Sequence, residues 1–295
     1  MEIVALFCDL DDFCLQFEPR WQQHLVSAGR RLRWREQRLC LSEVMTIMIG
    51  FHQSGYRTFK DYYLRYVTPH LRWAFPQLVS YTRFVELMPE VLVPLCAYLQ
   101  TRKGRSEGVA FIDSTLLAGC HPKRSGRHKV FAGLARWGRN SMGWCYGFKL
   151  HLLINDVGEL LACRLTVGNV DDRVPVPALG AKVQGKVFGD RGYISQALFE
   201  TLFAQGVQLI SKLRKDMENK LLPMIDKLLL RQRSLIETVN DQLKNISQIE
   251  HSRHRSVTNF LVNLVAGLIA YTYQPKKPSL HIRMPQATSV PLLVL

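Results

Sequence analysis

Two short apolar runs, "VAFID" at 109–113 and "KVFGD" at 186–190, each deliver an aspartate at their end, and this constrains the fold more than any other feature of the chain. Runs of β-formers without polar alternation read as strands buried on both faces, which occur where helices cover a mostly parallel sheet. Between them, "GFKLHLLIN" and "ELLACRLTV" are β-rich and separated by Asp156, Val157 and Gly158, the signal of a hairpin. A helix over about 174–183 leads into "KVFGD". A helix around 196–205, a strand "VQLIS" and a long helix through 226–245 follow.

The order strand, hairpin, helix, strand, helix, strand, helix predicts an α/β domain: a ribonuclease H-like mixed five-stranded sheet flanked by helices. The first hundred residues carry helical periodicity instead, with Ser42 as a helix N-cap in "LSEVMTIMIGFHQSG", and "TRKGRSEG" marks the change of period. The expected division is a helical region at 1–105, the α/β domain at 106–272 and a proline-rich tail at 273–295.

In this topology the strands ending at Asp113 and Asp190 are neighbours, and the last long helix, carrying Glu237, crosses their ends. At 100° per residue, Arg233, Glu237 and Lys244 project within roughly 40° of one another, while Ile236, Val239, Leu243 and Ile246 form a separate apolar stripe. An exposed salt-bridged helix would show the same Arg233–Glu237 spacing, so the strand-end acids carry the functional reading. Three converging carboxylates repel unless cations compensate. Hard oxygen donors suit Mg²⁺, and two such ions flanking a phosphate can activate a water or 3′-hydroxyl for in-line displacement.

The charge agrees with a phosphate polymer as partner: 39 Lys and Arg against 24 Asp and Glu give +15. Part of this excess lies in a basic loop at 121–144, within a span from Ser114 to Asn155 that has no acidic residue and holds Lys123, Arg124, Arg127, Lys129, Arg136, Arg139 and Lys149. Its glycines and charges speak against regular structure. Another basic group, Arg30, Arg31, Arg33, Arg35 and Arg38, precedes the second helix and offers either phosphate contacts or a solvated face. Seven cysteines without a C-x-x-C pair point to reduced thiols in the cytoplasm, and Cys120-His121 with His128 lacks the second half of a zinc site. "FLVNLVAGLIAY" is too short to span a bilayer and reads as a buried helix, so no membrane partner is expected.

Other polar residues have simpler readings. Asp9, Asp11 and Asp12 diverge on a helix and are structural. Asp171 and Asp172 suit a helix N-terminus. His151 reads as a hydrogen-bonded, partly buried strand residue. Trp137 and Trp144 either pack in the core or stack on unpaired bases.

"FIDSTLL", "GWCYGFKLHLLIN", "LTVGNVDDR", "GDRGYIS" and "RSLIETVNDQLKN" together resemble the motifs of bacterial insertion-sequence transposases of the Asp-Asp-Glu type. The most specific element is the Arg-x3-Glu-x6-Lys signature of Arg233, Glu237 and Lys244; where relatives often carry a tyrosine three positions before the arginine, this chain has Leu230. The resemblance implies Asp113, Asp190 and Glu237 as ligands of two Mg²⁺ ions, for which Mn²⁺ can substitute, with Arg233 and Lys244 on DNA. It further implies double-stranded terminal inverted repeats and target DNA as partners, cleavage and strand transfer, a homo-oligomer on paired ends, and a cytoplasmic, nucleoid-associated location. A nuclease or resolvase of the same fold, or a non-catalytic DNA-binding derivative, are the alternatives.

Overall fold

The computed structural model describes residues 2–29, 37–140, 143–181, 183–211, 222–250 and 254–280. Its centre is a mixed sheet of β1 (Val109–Ala118), β2 (Arg136–Asn140), β3 (Gly143–Asn155), β4 (Leu160–Val167), β5 (Gly185–Gly189) and β6 (Val207–Ser211). β3 runs antiparallel to β1, β4 antiparallel to β3, and β5 and β6 follow parallel on the other side of β1. Without β2, the order β4-β3-β1-β5-β6 is the ribonuclease H-like arrangement expected from the strand pattern.

Two corrections concern strands. β1 does not end at Asp113 but runs on to Ala118, because the thirteen-residue β3 pairs with it from Ala110 to Ala118. The basic loop is also more ordered than its composition suggests: Pro122–Arg127 form a 3-10 turn, and β2 pairs with the start of β3, making a sixth strand. β2 and β4 lie end to end along β3, and Gly138, Gly147 and Gly168 let their backbones meet; a Cβ on Gly147 would collide with the Leu117 carbonyl.

Before the sheet come α1 (Ile3–Ser27), α2 (Leu41–Gln53), the short α3 (Phe59–Tyr62) and α4 (Thr68–His70) joined by one π-helical turn, α5 (Tyr81–Leu87) and α6 (Leu92–Thr101). α2 is capped two residues earlier than predicted. Cys40 is the N-cap, its N–H donating to Glu43, while the buried Ser42 hydroxyl donates to Asp11 at 2.6 Å. Asp9 accepts from the Tyr273 hydroxyl, so both of these α1 acids are structural. Of the arginine cluster before α2, only Arg38 lies within the described residues.

The sheet is followed by α7 (Val176–Gly180), α8 (Gln196–Ala204), α9 (Met224–Arg231), α10 (Ser234–Asn245) and α11 (Val257–Thr272). α11 is the buried helix predicted from its apolar run and packs on α2 and α6. Residues 273–280 fold back on the β3–β4 turn, where the Leu280 N–H donates to the Asp156 carbonyl; the rest of the proline-rich tail lies outside the described residues.

The single long helix expected through 226–245 is two helices. Asp226 in α9 is buried and takes two hydrogen bonds, at 2.8 and 2.9 Å, from Lys186 of β5, whereas Ile236, Val239 and Leu243 of α10 pack into the core beside β1. The two anchors demand different directions, and the chain breaks at Gln232–Arg233. Ile246 leaves the predicted stripe because the helix ends there: it is the C-cap of α10 and is exposed.

Two apolar clusters cover the sheet's two faces. Phe111, Phe188 and α10 belong to one, which is continuous with the N-terminal helices; Ala110, Ile112, Val187, Tyr193, α7 and α8 belong to the other. Removing the cation from a buried ion pair strands a charge at a cost of about 3 kcal/mol or more. Lys186→Met is therefore expected to destabilise the protein by about 3 kcal/mol in urea denaturation, and Lys186→Met combined with Asp226→Leu to recover most of the loss.

Candidate active site

The last residue pair between β1 and β5 is Phe111 with Phe188. Carrying that parallel register two residues further sets Asp113 opposite Asp190, on the face of the neighbouring Phe111 and Phe188 rings. β5 ends at Gly189, while β1 continues, so the two aspartates stand where the strands part. Asp190 is fixed by its own backbone: it caps a 3-10 turn over Arg191–Tyr193, with the Gly192 N–H donating to its Oδ1 at 2.7 Å. A Cβ on Gly192 would approach that oxygen to 2.9 Å, so glycine here leaves room for the carboxylate.

α10 brings the third acid. Its Asn240 donates from Nδ2 to Asp113 Oδ2 at 3.0 Å, and Glu237, one turn earlier, presents its half-exposed carboxylate on the same side. Arg233 lies between the two acids: one guanidinium nitrogen is 3.8 Å from Asp113, and another donates a short hydrogen bond to Glu237. Lys244 fixes the far end of the helix, donating to the Leu116 carbonyl at 2.6 Å and pairing with Glu250 at 3.1 Å. Glu250 in turn accepts from the Ala118 N–H.

Asp113 is 20% exposed. Burial pushes its carboxyl up to about 6; Arg233 and the Ser114 N–H oppose the rise, and the negative charges of Asp190 and Glu237 add to it. Asp113 thus stands within electrostatic reach of the two other sequence-predicted acids. As the side chains stand, no three Asp, Glu, His or Cys residues among the described ones converge within reach of a single metal ion, because Arg233 separates Glu237 from Asp113. The donors themselves are all carboxylate oxygens, the set that a hard divalent cation takes.

Of the predicted basic residues, Lys123, Arg124, Arg127 and Lys129 line a cavity of about 850 Å³ together with His121, His128, His254 and Arg255, and among the described residues no carboxylate lines it. Arg136 and Arg139 are exposed on β2, with Arg139 over the ring of Trp144. Trp137 and Trp144 are 40% and 61% exposed and are not core residues. Lys149 is placed differently: its ammonium donates to Asp172 and to the Val170 carbonyl on the opposite face of the sheet from Asp113.

Asp171 and Asp172 are not helix caps, since α7 begins only at Val176. Asp171 bonds the backbone and guanidinium of Arg173, and Asp172 accepts from Ser114 at 2.9 Å and Lys149 at 3.0 Å. His151 is fully buried, bonded to Thr166, and burial lowers its pKa to about 4, so it is neutral at pH 7. Asn240 is a site residue that sequence reasoning missed; its position three residues after Glu237 was the available signal.

A ribonuclease H-like sheet with two in-register aspartates and a glutamate on the covering helix defines the class of this domain. Residues 103–257, more than half of the chain, match the family model described as a transposase DDE domain, and the chain belongs to that family. Among solved structures, it is similar to the cryo-EM structure of the piggyBac transposase synaptic complex with hairpin DNA, at 12% identity and a TM-score of 0.46, covering 86% of this chain and 70% of that one. It is also similar to the Mos1 strand transfer complex, at 13% identity and a TM-score of 0.25, covering 86% of this chain and 83% of that one. No curated protein matches the sequence significantly. Among the described residues no helix is long and apolar enough to cross a membrane.

The raised Asp113 carboxyl makes stability depend on pH. The folded state keeps this proton longer than the unfolded chain does, so the stabilisation is complete below about pH 4 and is lost as pH rises through about 6. His151 acts in the opposite sense, its contribution being lost as pH falls from about 6.5 towards 4, so a comparison of two proteins isolates Asp113. In EDTA, Asp113→Asn is expected to be more stable than the parent at pH 8 by on the order of 2 kcal/mol and to lose that advantage by pH 4, read by urea denaturation.

Proposed function

We propose that the chain is a metal-dependent DNA transposase whose reacting centre is Asp113, Asp190 and Glu237. The observation that carries this reading is the coupling of three acids from β1, the end of β5 and α10 around one buried carboxyl, in a chain of the DDE family. In this reading Asp113, Asp190 and Glu237 would hold divalent cations, Mg²⁺ or Mn²⁺, and Arg233, now paired with Glu237, would contact a DNA phosphate. Bound there, such ions would supply a lowered pKa for the nucleophile and charge neutralisation at the scissile phosphate. A water or a DNA 3′-hydroxyl gives its proton to solvent water as its oxygen attacks phosphorus, and the P–O bond on the opposite side breaks in line, its oxygen leaving with the bonding pair and taking a proton from solvent.

The residues of this chain supply positioning. Asn240 and Arg233 orient Asp113, the Gly192 N–H orients Asp190, and Lys244 with Glu250 holds α10 against β1. The substrate is double-stranded DNA at the element's terminal repeats and then at the target. The cavity of Lys123, Arg124, Arg127 and Lys129 and the exposed Arg136 and Arg139 contact its phosphates, residues 1–105 add a DNA-binding region, and two chains act on paired ends.

The test uses labelled duplexes bearing the inverted repeats that flank the element, with Mg²⁺ or with EDTA. Asp113→Ala, Asp190→Ala and Glu237→Ala are each expected to lower cleavage by on the order of 10³-fold while leaving DNA binding in place. Pre-cut ends with a free 3′-hydroxyl should join a target plasmid, and cleavage without joining would replace transposition by hydrolysis. Full cleavage by any triad variant would exclude the assignment. Separately, Gln at Lys123, Arg124, Arg127 and Lys129 should flatten the dependence of log K on log salt by close to 0.9 for each phosphate these side chains had neutralised, measured by fluorescence anisotropy.

A further inference from the structure

One buried polar group next to the triad has no role in the foregoing scheme. Tyr193 is 2% exposed, and among the described residues its hydroxyl makes no hydrogen bond of good geometry, although a buried phenol usually does. Its ring is closely seated: it fills the space over Gly189, where a Cβ would come within 2.9 Å of the ring, and it packs in the cluster of the sheet's second face. The 3-10 turn that fixes Asp190 also carries Tyr193.

The surroundings of that hydroxyl are acidic. The carboxylates of Asp113, Asp172 and Asp190 are its charged neighbours, and all three oppose loss of its proton; the Ser114 hydroxyl is close enough to favour that loss as a hydrogen-bonding neighbour, but its own hydrogen goes to Asp172. Asp113 and Asp190 stand on the first face and Asp172 on the second, and the turn that begins at Asp190, where β5 has ended, carries Tyr193 into the second-face cluster. Behind it, Ser114 and Lys149 tie down Asp172, whose bonded oxygen is 4.0 Å from Nδ1 of the buried His151. A tyrosine hydroxyl both donates and accepts. An unpartnered one among three carboxylates is matched to a small polar ligand with hydrogens to share, and a hydrated divalent cation brings several such waters.

We propose that Tyr193, backed by Ser114, Asp172 and Lys149, is a positioning residue of the metal centre, its hydroxyl hydrogen-bonding a water of the cation held by Asp113 and Asp190. The proposal rests on the metal-centre reading above. Groups that bond a metal's ligands or waters commonly change its affinity 10- to 100-fold when removed. Tyr193→Phe keeps the ring over Gly189 and deletes only the hydroxyl, so packing is retained.

Mn²⁺ alone is the probe. The free ion is counted by electron paramagnetic resonance in titrations of the full chain, alongside water-proton relaxation of the bound ion and the melting temperature in EDTA. Tyr193→Phe and Asp172→Asn are expected to weaken Mn²⁺ binding about 10-fold, with an altered relaxivity and, for Tyr193→Phe, an unchanged melting temperature. Parent-like affinity and relaxivity in Tyr193→Phe would overturn the proposal, and a lowered melting temperature with unchanged Mn²⁺ binding would do so in favour of a packing role. If the parent binds no more Mn²⁺ than Asp113→Asn combined with Asp190→Asn, the metal-centre reading falls, and this inference with it.

Discussion

The parallel contact between β1 and β5 spans three residue pairs, and the site depends on its being both in register and short. Register puts Asp113 and Asp190 side by side, since strands lie about 4.8 Å apart and side chains two residues on return to the same face. Shortness lets the strands part just there. Had β5 continued, backbone hydrogen bonds would have closed the gap, and Asp190 could not cap its own turn. The longer partner, β3, is what holds β1 straight after β5 has left it.

The remaining parts follow from the charge placed there. Asp113 is costly because burial disfavours its ionised form and two more acids face it. The fold offsets this with neutral and cationic partners from α10, Asn240 and Arg233, and α10 can supply them because it is a separate helix from α9. The break at Gln232–Arg233 lets Arg233 act as the N-cap residue of α10 and reach both Asp113 and Glu237. A local concentration of like charge, stabilised only in part, is the kind of compromise that proteins keep at sites of chemistry rather than for stability.

The sheet and the acids were legible in the sequence because both depend on local pattern. Buried strands show as apolar runs, and the hairpin shows in Gly158 of its turn, which adopts positive φ. Pairings between distant residues were not legible in the same way. Nothing near Asp113 says that β3 will extend β1 to Ala118, and nothing in 226–245 says that Asp226 pairs with Lys186 and breaks the helix. β2 was hidden by composition: Arg-Trp-Gly-Arg-Asn has little strand propensity and pairs because the start of β3 offers an edge. The neighbours of Asp172 in sequence suggest a cap, whereas its partners, Ser114 and Lys149, are 58 and 23 positions away.

The direction in which β1 runs also bears on the size of the substrate. From Asp113 the strand continues five residues to Ala118, about 17 Å at 3.3 Å per residue, and leads directly into the 3-10 turn of the basic cavity. β2, with Arg136, Arg139 and the exposed tryptophans, flanks that same end, since it pairs with Gly143–Gly147, and Gly147 faces Ala118. The cations therefore extend away from the acids over a distance of about five nucleotides, at 3.4 Å per step along one strand. A small phosphoester would meet only the carboxylates, Arg233 and Asn240, and would gain nothing from the remote charge. Under the proposed function, a polymer with one phosphate at the acids and others along β1 would gain from both, and binding energy collected at a distance would hold that phosphate against a centre that, by its own charge, repels it.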